Sequence, residues 1–158
     1  MMIKMKKLLS LEQFLELRLS EENKIVFTNG CFDIIHTGHV EYLFKAKGLG
    51  DLLVIGLNSD FSVKKIKGNK RPINSQQDRA YILNALECVD YIIIFNEKTP
   101  ANLILSIKPA IHVKGGDYKE EDLPEAGLVR SYGGEVIIIP YKKGYSTTEL
   151  IEKIKKIF

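Results

Sequence analysis

A chain of 158 residues, 45% apolar and 27% charged, is long enough to bury one full core and has the composition of an ordinary globular domain. A formal charge of +3 is too small to argue for a nucleic-acid partner, and no run approaches the roughly 20 apolar residues that a membrane span needs. Cys31 and Cys88 lie far apart without a CxxC, and the lysine-rich start is broken by Glu12 and Gln13 with no small-residue cleavage site, so neither a disulfide framework nor a signal peptide is expected and the setting reads as cytoplasmic.

In chain order, Ser10 with Gln13 reads as a capping box opening a short helix at about residues 11–19, part of a helical extension over residues 1–24 of a single 1–158 domain. A first apolar run at residues 25–27 reads as a strand, followed by a helix at 40–47 and a second strand at 52–57. Residues 64–71, with five basic side chains and breakers at Gly68 and Pro72, are expected to form a mobile loop. Next come a helix at 76–86, a strand at 91–95 and a helix at 101–107 with Pro100 at its first position. A short strand at 111–113, a helix at 121–132, a strand at 136–139 and a helix at 147–157, opened by the capping box Ser146-Thr-Thr-Glu149, complete the series. The apolar runs are continuous rather than alternating, the pattern of strands buried on both faces. The expected fold is α/β, a doubly wound, Rossmann-like parallel sheet of about five strands with its ligand site beyond the carboxyl ends near the switch point.

Two familiar phosphate devices are missing: no Gly-Lys dipeptide exists for a Walker A loop, and no GxGxxG follows the first strand. That strand runs instead into Thr28-Asn-Gly-Cys-Phe-Asp33, then His36-Thr-Gly-His39, then a helix. A glycine-bearing turn thus delivers two imidazoles to a helix amino end, where backbone N–H groups and the dipole favour an anion. A structural histidine pair and a metal site are the alternatives; zinc would need further ligands that no HExxH or cysteine cluster supplies, so no metal ligand is assigned. Lys64, Lys65, Lys67, Lys70 and Arg71 follow the second strand at the ligand end, where at least one is expected to meet phosphate rather than solvent. Lys114-Gly-Gly-Asp117 follows the fourth strand: its glycines would let a base approach, with Asp117 accepting from an amino group, or it is an ordinary turn. The hydroxyls of Ser146, Thr147 and Thr148 at a helix start suit phosphate oxygens as well as capping. Cys31 has no evident partner base and reads as a small packing residue.

Together these residues resemble the HxGH nucleotidyltransferases. The motifs Phe27–His39, Asn58-Ser-Asp60, Lys67-Gly68 with Arg71-Pro72, Val89-Asp90, Lys114-Gly-Gly-Asp-Tyr118 and Tyr145-Ser-Thr-Thr148 are similar to the adenylyltransferase domains of ADP-heptose synthases, themselves similar to glycerol-3-phosphate cytidylyltransferases. The resemblance runs from about Leu8 to the C-terminus. It implies transfer of AMP from ATP to D-glycero-D-manno-heptose 1-phosphate, with release of pyrophosphate, a magnesium ion, and a place in the lipopolysaccharide inner core. Under it, His36 and His39 hold the triphosphate, the Gly30, Cys31 and Phe32 backbone faces the α-phosphate, and Lys114 and Asp117 line the base pocket. Ser146, Thr147 and Thr148 take the β- and γ-phosphates, while Asp33, Lys65, Lys67 and Arg71 meet the sugar phosphate, Lys67 with a catalytic part. Where cytidylyltransferases carry an arginine this chain has Tyr141, with Lys142 or Lys143 as substitutes. The resemblance leaves no room for the sugar kinase often fused to such domains, so a separate protein is expected to make the heptose 1-phosphate. Partners are then small molecules, with no nucleic acid or membrane, and a homo-oligomer is compatible. The alternatives are a cytidylyltransferase acting on a polyol or amino-alcohol phosphate, and a non-catalytic nucleotide-binding regulator.

Overall fold

Valine, isoleucine and leucine in unbroken runs have no polar face to turn to water, and the sheet they form is covered on both sides. The computed structural model describes residues 5–17, 19–117, 119–140 and 144–158. Its strands are β1 (Ile25–Gly30), β2 (Leu52–Asn58), β3 (Tyr91–Phe95), β4 (Ile111–Gly115) and β5 (Glu135–Ile139), all parallel, in the order β3-β2-β1-β4-β5. The helices are α1 (Leu11–Glu16), α2 (Thr37–Lys47), α3 (Asp60–Lys67), α4 (Gln76–Ala85), α5 (Ala101–Ile107), α6 (Pro124–Ser131) and α7 (Thr147–Ile157), with a 3₁₀ turn at Glu120–Asp122.

Alternation along each strand divides the core into two layers. Val26, Leu53, Ile55 and Ile92 pack with Leu43 and Ala46 of α2 and Ala80 and Leu83 of α4. Phe27, Val54 and Ile93 point the other way, against Leu103, Ile104 and Ile107 of α5, Ala126 and Val129 of α6, and Phe14 of α1. The order reverses between β1 and β4, where an open parallel sheet leaves a crevice at its carboxyl edge.

The Ser10–Gln13 capping box is present in both directions. At the other end Ser146 Oγ accepts from Glu149 N, the forward half of the expected box. Pro100 caps α5 from outside rather than occupying its first turn. The N-terminal extension is docked: Ile92 N donates to Lys7 O and Leu9 N to Ile92 O, so the segment pairs with the outer edge of β3.

The largest departure from expectation lies in the basic stretch. Asp60–Lys67 is helix, not loop, because Ser59 Oγ caps Ser62 N and Asp60 sits in the first turn, favourable to the helix dipole. Only Gly68, with φ +90°, ends it, in a conformation that disfavours any other residue. The quoted Val89-Asp90 pair proves to be a staple: Asp90 accepts from Leu53 N at 2.7 Å and Lys47 Nζ at 2.6 Å, tying α2, β2 and β3 together.

Candidate active site

β1 ends at Gly30, and the turn that follows it must reverse direction to start α2. Phe32 adopts φ +46°, a conformation costly for a bulky residue and found where a turn is held by its surroundings. His36 is then the N-cap of α2 and His39 its third residue. An i,i+3 spacing puts both on one helix face, and their rings lie 4.0 Å apart between centroids. The glycine between them is needed for space: a Cβ on Gly38 would come within 2.9 Å of Tyr145 Cβ and 3.0 Å of the His36 ring.

These residues open into a cavity of about 500 Å³ at the carboxyl ends of the strands. On its β2 side stand Asn58, Ile66, Lys67, Arg71 and Lys98; on its β4–β5 side stand Lys114, Gly115, Ile139, Tyr145 and Ser146–Thr148. Asn29, the Gly30–Asp33 turn and the two histidines occupy the middle. Lys45, Lys67, Arg71, Lys98 and Lys114 face only Asp33 and Glu41 as carboxylates among the described lining residues, so the field that the whole chain lacks is concentrated here.

Both histidines are neutral at pH 7. Burial pushes His39 down to about 4, with His36 and the Lys67 ammonium adding to the effect. Burial also lowers His36, partly offset by the Glu149 carboxylate. His39 Nδ1 accepts the backbone N–H of His36 at 3.4 Å, which places the single ring proton of His39 on Nε2. His36 Nδ1 is buried without a partner among the described residues.

Asp33, 2% exposed, is an anchor. Its carboxylate accepts from Arg71 Nε at 2.6 Å, from Ile73 N and from Asn74 N, while Asn74 Nδ2 donates to its carbonyl. Burial alone would raise its pKa, but the hydrogen bonds from Asn74, Ile73 and Arg71 outweigh it and hold the carboxyl below its ordinary value. Asp33 is in the cavity lining, where the sequence placed it, with its carboxylate engaged by the 71–74 loop. Arg71 does face the cavity, and its buried Nη2 has no partner among the described residues.

Two residues expected at the site are not among the described lining. Lys65 stays outside the cavity, its ammonium lying 3.9 Å over the Phe61 ring, because α3 turns that face away. Asp117 is exposed and absent from the described lining, whereas Lys114, two strand residues before the turn, reaches the cavity. Gly30, Cys31, Phe32, His36, His39, Lys67, Arg71, Lys114, Ser146, Thr147 and Thr148 are all brought together. Burial raises the Cys31 thiol despite nearby Lys67 and Arg79, so it remains in its inert form. Tyr118, Tyr141, Lys142 and Lys143 lie outside the described residues.

A cytidylyltransferase-like family model matches residues 27–153 of this sequence, from β1 into α7. The chain belongs to the cytidylyltransferase-like family. Among its relatives, the bifunctional protein HldE of Geobacter metallireducens is 51% identical over 98% of this chain and 32% of its own, and that of Helicobacter pylori is 53% identical over 95% and 32%. The chain thus spans about a third of the length of these curated relatives. Of solved structures, a lipopolysaccharide core biosynthesis protein of Thermoplasma volcanium is 31% identical, with a TM-score of 0.62 over 78% of this chain and 99% of its own. A pantoate-beta-alanine ligase of Francisella tularensis, at 20% identity and TM-score 0.64 over 95% of this chain and 77% of its own, shares the fold. No helix among the described residues is long and apolar enough to cross a membrane.

Within this family member, one residue that sequence reasoning passed over holds the site's framework. Arg79 of α4 is 0% exposed. Its Nη1 donates to Cys31 O at 2.6 Å and Asn58 O at 2.8 Å, its Nε to Asn74 O at 3.1 Å, and its Nη2 to Asp60 Oδ1 at 2.8 Å. One guanidinium thus clamps the β1 turn, the end of β2, the 71–75 loop and the start of α3.

Proposed function

We propose that this domain transfers the adenylyl group of ATP to D-glycero-D-manno-heptose 1-phosphate, forming ADP-heptose and pyrophosphate. The observation that carries the reading is the close pair of neutral imidazoles at the amino end of α2, inside a cation-lined cavity. The acceptor class follows from the sequence motifs, and likeness to HldE relatives and to a lipopolysaccharide core biosynthesis protein supports it.

An oxygen of the acceptor phosphate attacks the α-phosphorus, the bond from that phosphorus to the bridging oxygen breaks, and its electrons leave with pyrophosphate. The acceptor is already an anion, so no covalent intermediate is required and the protein's work is alignment and charge stabilisation. Neutral imidazoles suit that work: they cost little while the site is empty, and His39 offers its Nε2–H to oxygens whose charge grows as the bond breaks. Lys67 and Arg71 face the acceptor side of the cavity, and Ser146–Thr148 the side of the departing pyrophosphate. Magnesium would enter with the triphosphate, whose charge it neutralises. Among the described residues no cluster of three or more His, Cys, Asp or Glu side chains could cage it, so no step is routed through a protein-held ion.

A coupled pyrophosphate-release assay crossing ATP and CTP with a panel of sugar and polyol phosphates tests the assignment. Turnover should be fastest with ATP and the heptose 1-phosphate and should cease on exhaustive chelation. Faster turnover with CTP and glycerol 3-phosphate would replace this reading by the cytidylyltransferase one.

A further inference from the structure

Beside the histidine pair lies a polar cluster with no assigned task. His112 sits in the middle of β4, 0% exposed, with its ring against Phe27. Its Nε2 lies 3.3 Å from Asn29 Oδ1, and its Nδ1 is buried without a partner among the described residues. Lys114 Nζ approaches the same Asn29 oxygen at 3.5 Å. An ammonium can only donate, so the atom that Lys114 meets must be the amide oxygen. His112 Nε2 must then be the protonated nitrogen, which leaves Nδ1 as the orphan acceptor. A buried imidazole left half-satisfied costs stability. The cost makes sense if the remaining bond does something.

What that bond does is orient Asn29. With Oδ1 engaged by His112 and Lys114, the amide nitrogen is left as the donor of a side chain that lines the cavity. Asn29 is the penultimate residue of β1, the central strand of the sheet, directly before the Gly30–Phe32 turn. It therefore stands between the Lys67–Arg71 side and the Lys114–Thr148 side. If the proposed reaction holds, that is where the acceptor phosphate meets the α-phosphate.

We infer that Asn29 is a phosphate-binding residue of this site, its amide N–H groups donating to phosphoryl oxygens at the junction of the two substrates, and that His112 is the positioning residue that aims it. Among the described residues its Nδ2 has no protein partner, as a donor reserved for a ligand should have. A neutral donor here complements the surrounding cations, because it grips oxygens without adding charge that would hold pyrophosphate back.

The inference rests on the nucleotidyl-transfer reading, and a double-mutant cycle separates the two. Wild type, Asn29→Ala, His112→Leu and the double variant are assayed on the best substrate pair from the crossed panel. Heptose 1-phosphate and α,β-methylene-ATP are titrated into each by calorimetry. Asn29→Ala should lower kcat/KM about a hundredfold, the lower end of the scale of one lost preorganised donor. His112→Leu replaces an unsatisfied polar group by an apolar one and should keep its melting temperature while losing about threefold to tenfold in kcat/KM. In the Asn29→Ala background the same change should cost less than about twofold, since nothing remains to be aimed. Weakening confined to the heptose phosphate would assign the amide to the acceptor, and weakening confined to the nucleotide analogue to the α-phosphate. An Asn29→Ala variant with wild-type kcat/KM, or a His112→Leu penalty that persists in full without Asn29, overturns the inference. Wild-type turnover on a different substrate pair would end the heptose reading and leave the cycle still legible on that pair.

Discussion

The two walls of the cavity are built to different standards. On the β2 side, Arg79 and Asp33 hold four backbone segments through short hydrogen bonds and are shielded from water. On the β5 side, α7 contributes no buried residue, and its amino end is attached by Thr147 Oγ1 donating to Ile34 O at 3.4 Å and by Tyr145 against Gly38. Among the described residues, the denser network of buried hydrogen bonds lies on the β2 side. Under the proposed function, the acceptor wall is expected to be preorganised and the wall facing the triphosphate to gain order from the ligand. Such a division lets binding energy from the triphosphate complete the site, whereas the attacking group meets fixed geometry.

Breaking the β2-side network should give the largest effect. Arg79→Met leaves Cys31 O, Asn58 O, Asn74 O and the Asp60 carboxylate without their shared donor and should cost about 3–5 kcal/mol, since each buried acceptor left unsatisfied costs about 1–3 kcal/mol. Chemical denaturation measures it, and a shift below about 1 kcal/mol would show that the wall does not depend on its clamp. Next come the histidines between the walls. His36→Ala and His39→Ala should each lower kcat by roughly 10²–10³ with little change in melting temperature, because they serve developing charge rather than the core. Unchanged kcat with a large fall in melting temperature would make the pair structural.

An intermediate effect should appear with pH. A folded-state pKa below the unfolded value of about 6.5 means that the unfolded chain binds protons first, so stability falls as pH drops below that value. For His39 the loss runs down to about 4 and for His112, lowered by burial and then by Lys114, to about 3. Each contributes a slope of at most about 1.4 kcal/mol per pH unit. Denaturation between pH 3 and pH 7 should therefore become less steep in His112→Leu, and an unaltered slope would contradict the assignment. The smallest effect belongs to the outer face of α3. Lys65→Ala should leave kcat/KM within about twofold of wild type, as surface changes usually do, while Lys67→Ala should depress it. Equal losses from both would return Lys65 to the site.

Why sequence reading reached some of this and not the rest follows from the range of the interactions. The five strands were legible because burial on both faces forces an unbroken apolar run, and the histidine pair because its i,i+3 spacing is local. The helix α3 was missed although Ser59 offered a local cap, because Lys64, Lys65 and Lys67 were read with Gly68 and Pro72 as one basic loop, whereas Gly68 only ends the helix. Arg79 reads in Gln76–Ala85 as an ordinary solvated helix arginine. Only contacts 5 to 48 residues away turn it into a buried clamp. His112, placed inside an apolar strand, gives no local sign that it reaches Asn29 across 83 residues. Lys65 and Asp117 stand in the expected segments but not in the described cavity lining, since sequence does not fix which way α3 or the turn after β4 faces.

The backbone pairing between Lys7–Leu9 and Ile92 has a consequence for self-association. β3 is an outer strand made of Tyr-Ile-Ile-Ile-Phe, a five-residue β-branched and aromatic sequence with no charge and no proline, the composition that seeds strand-to-strand addition between molecules. The leading segment lies on that edge as a guard, with Lys7 anchored to Leu86 O. What looks like a preface to the fold thus covers part of an edge suited to strand addition, and its detachment would expose that edge.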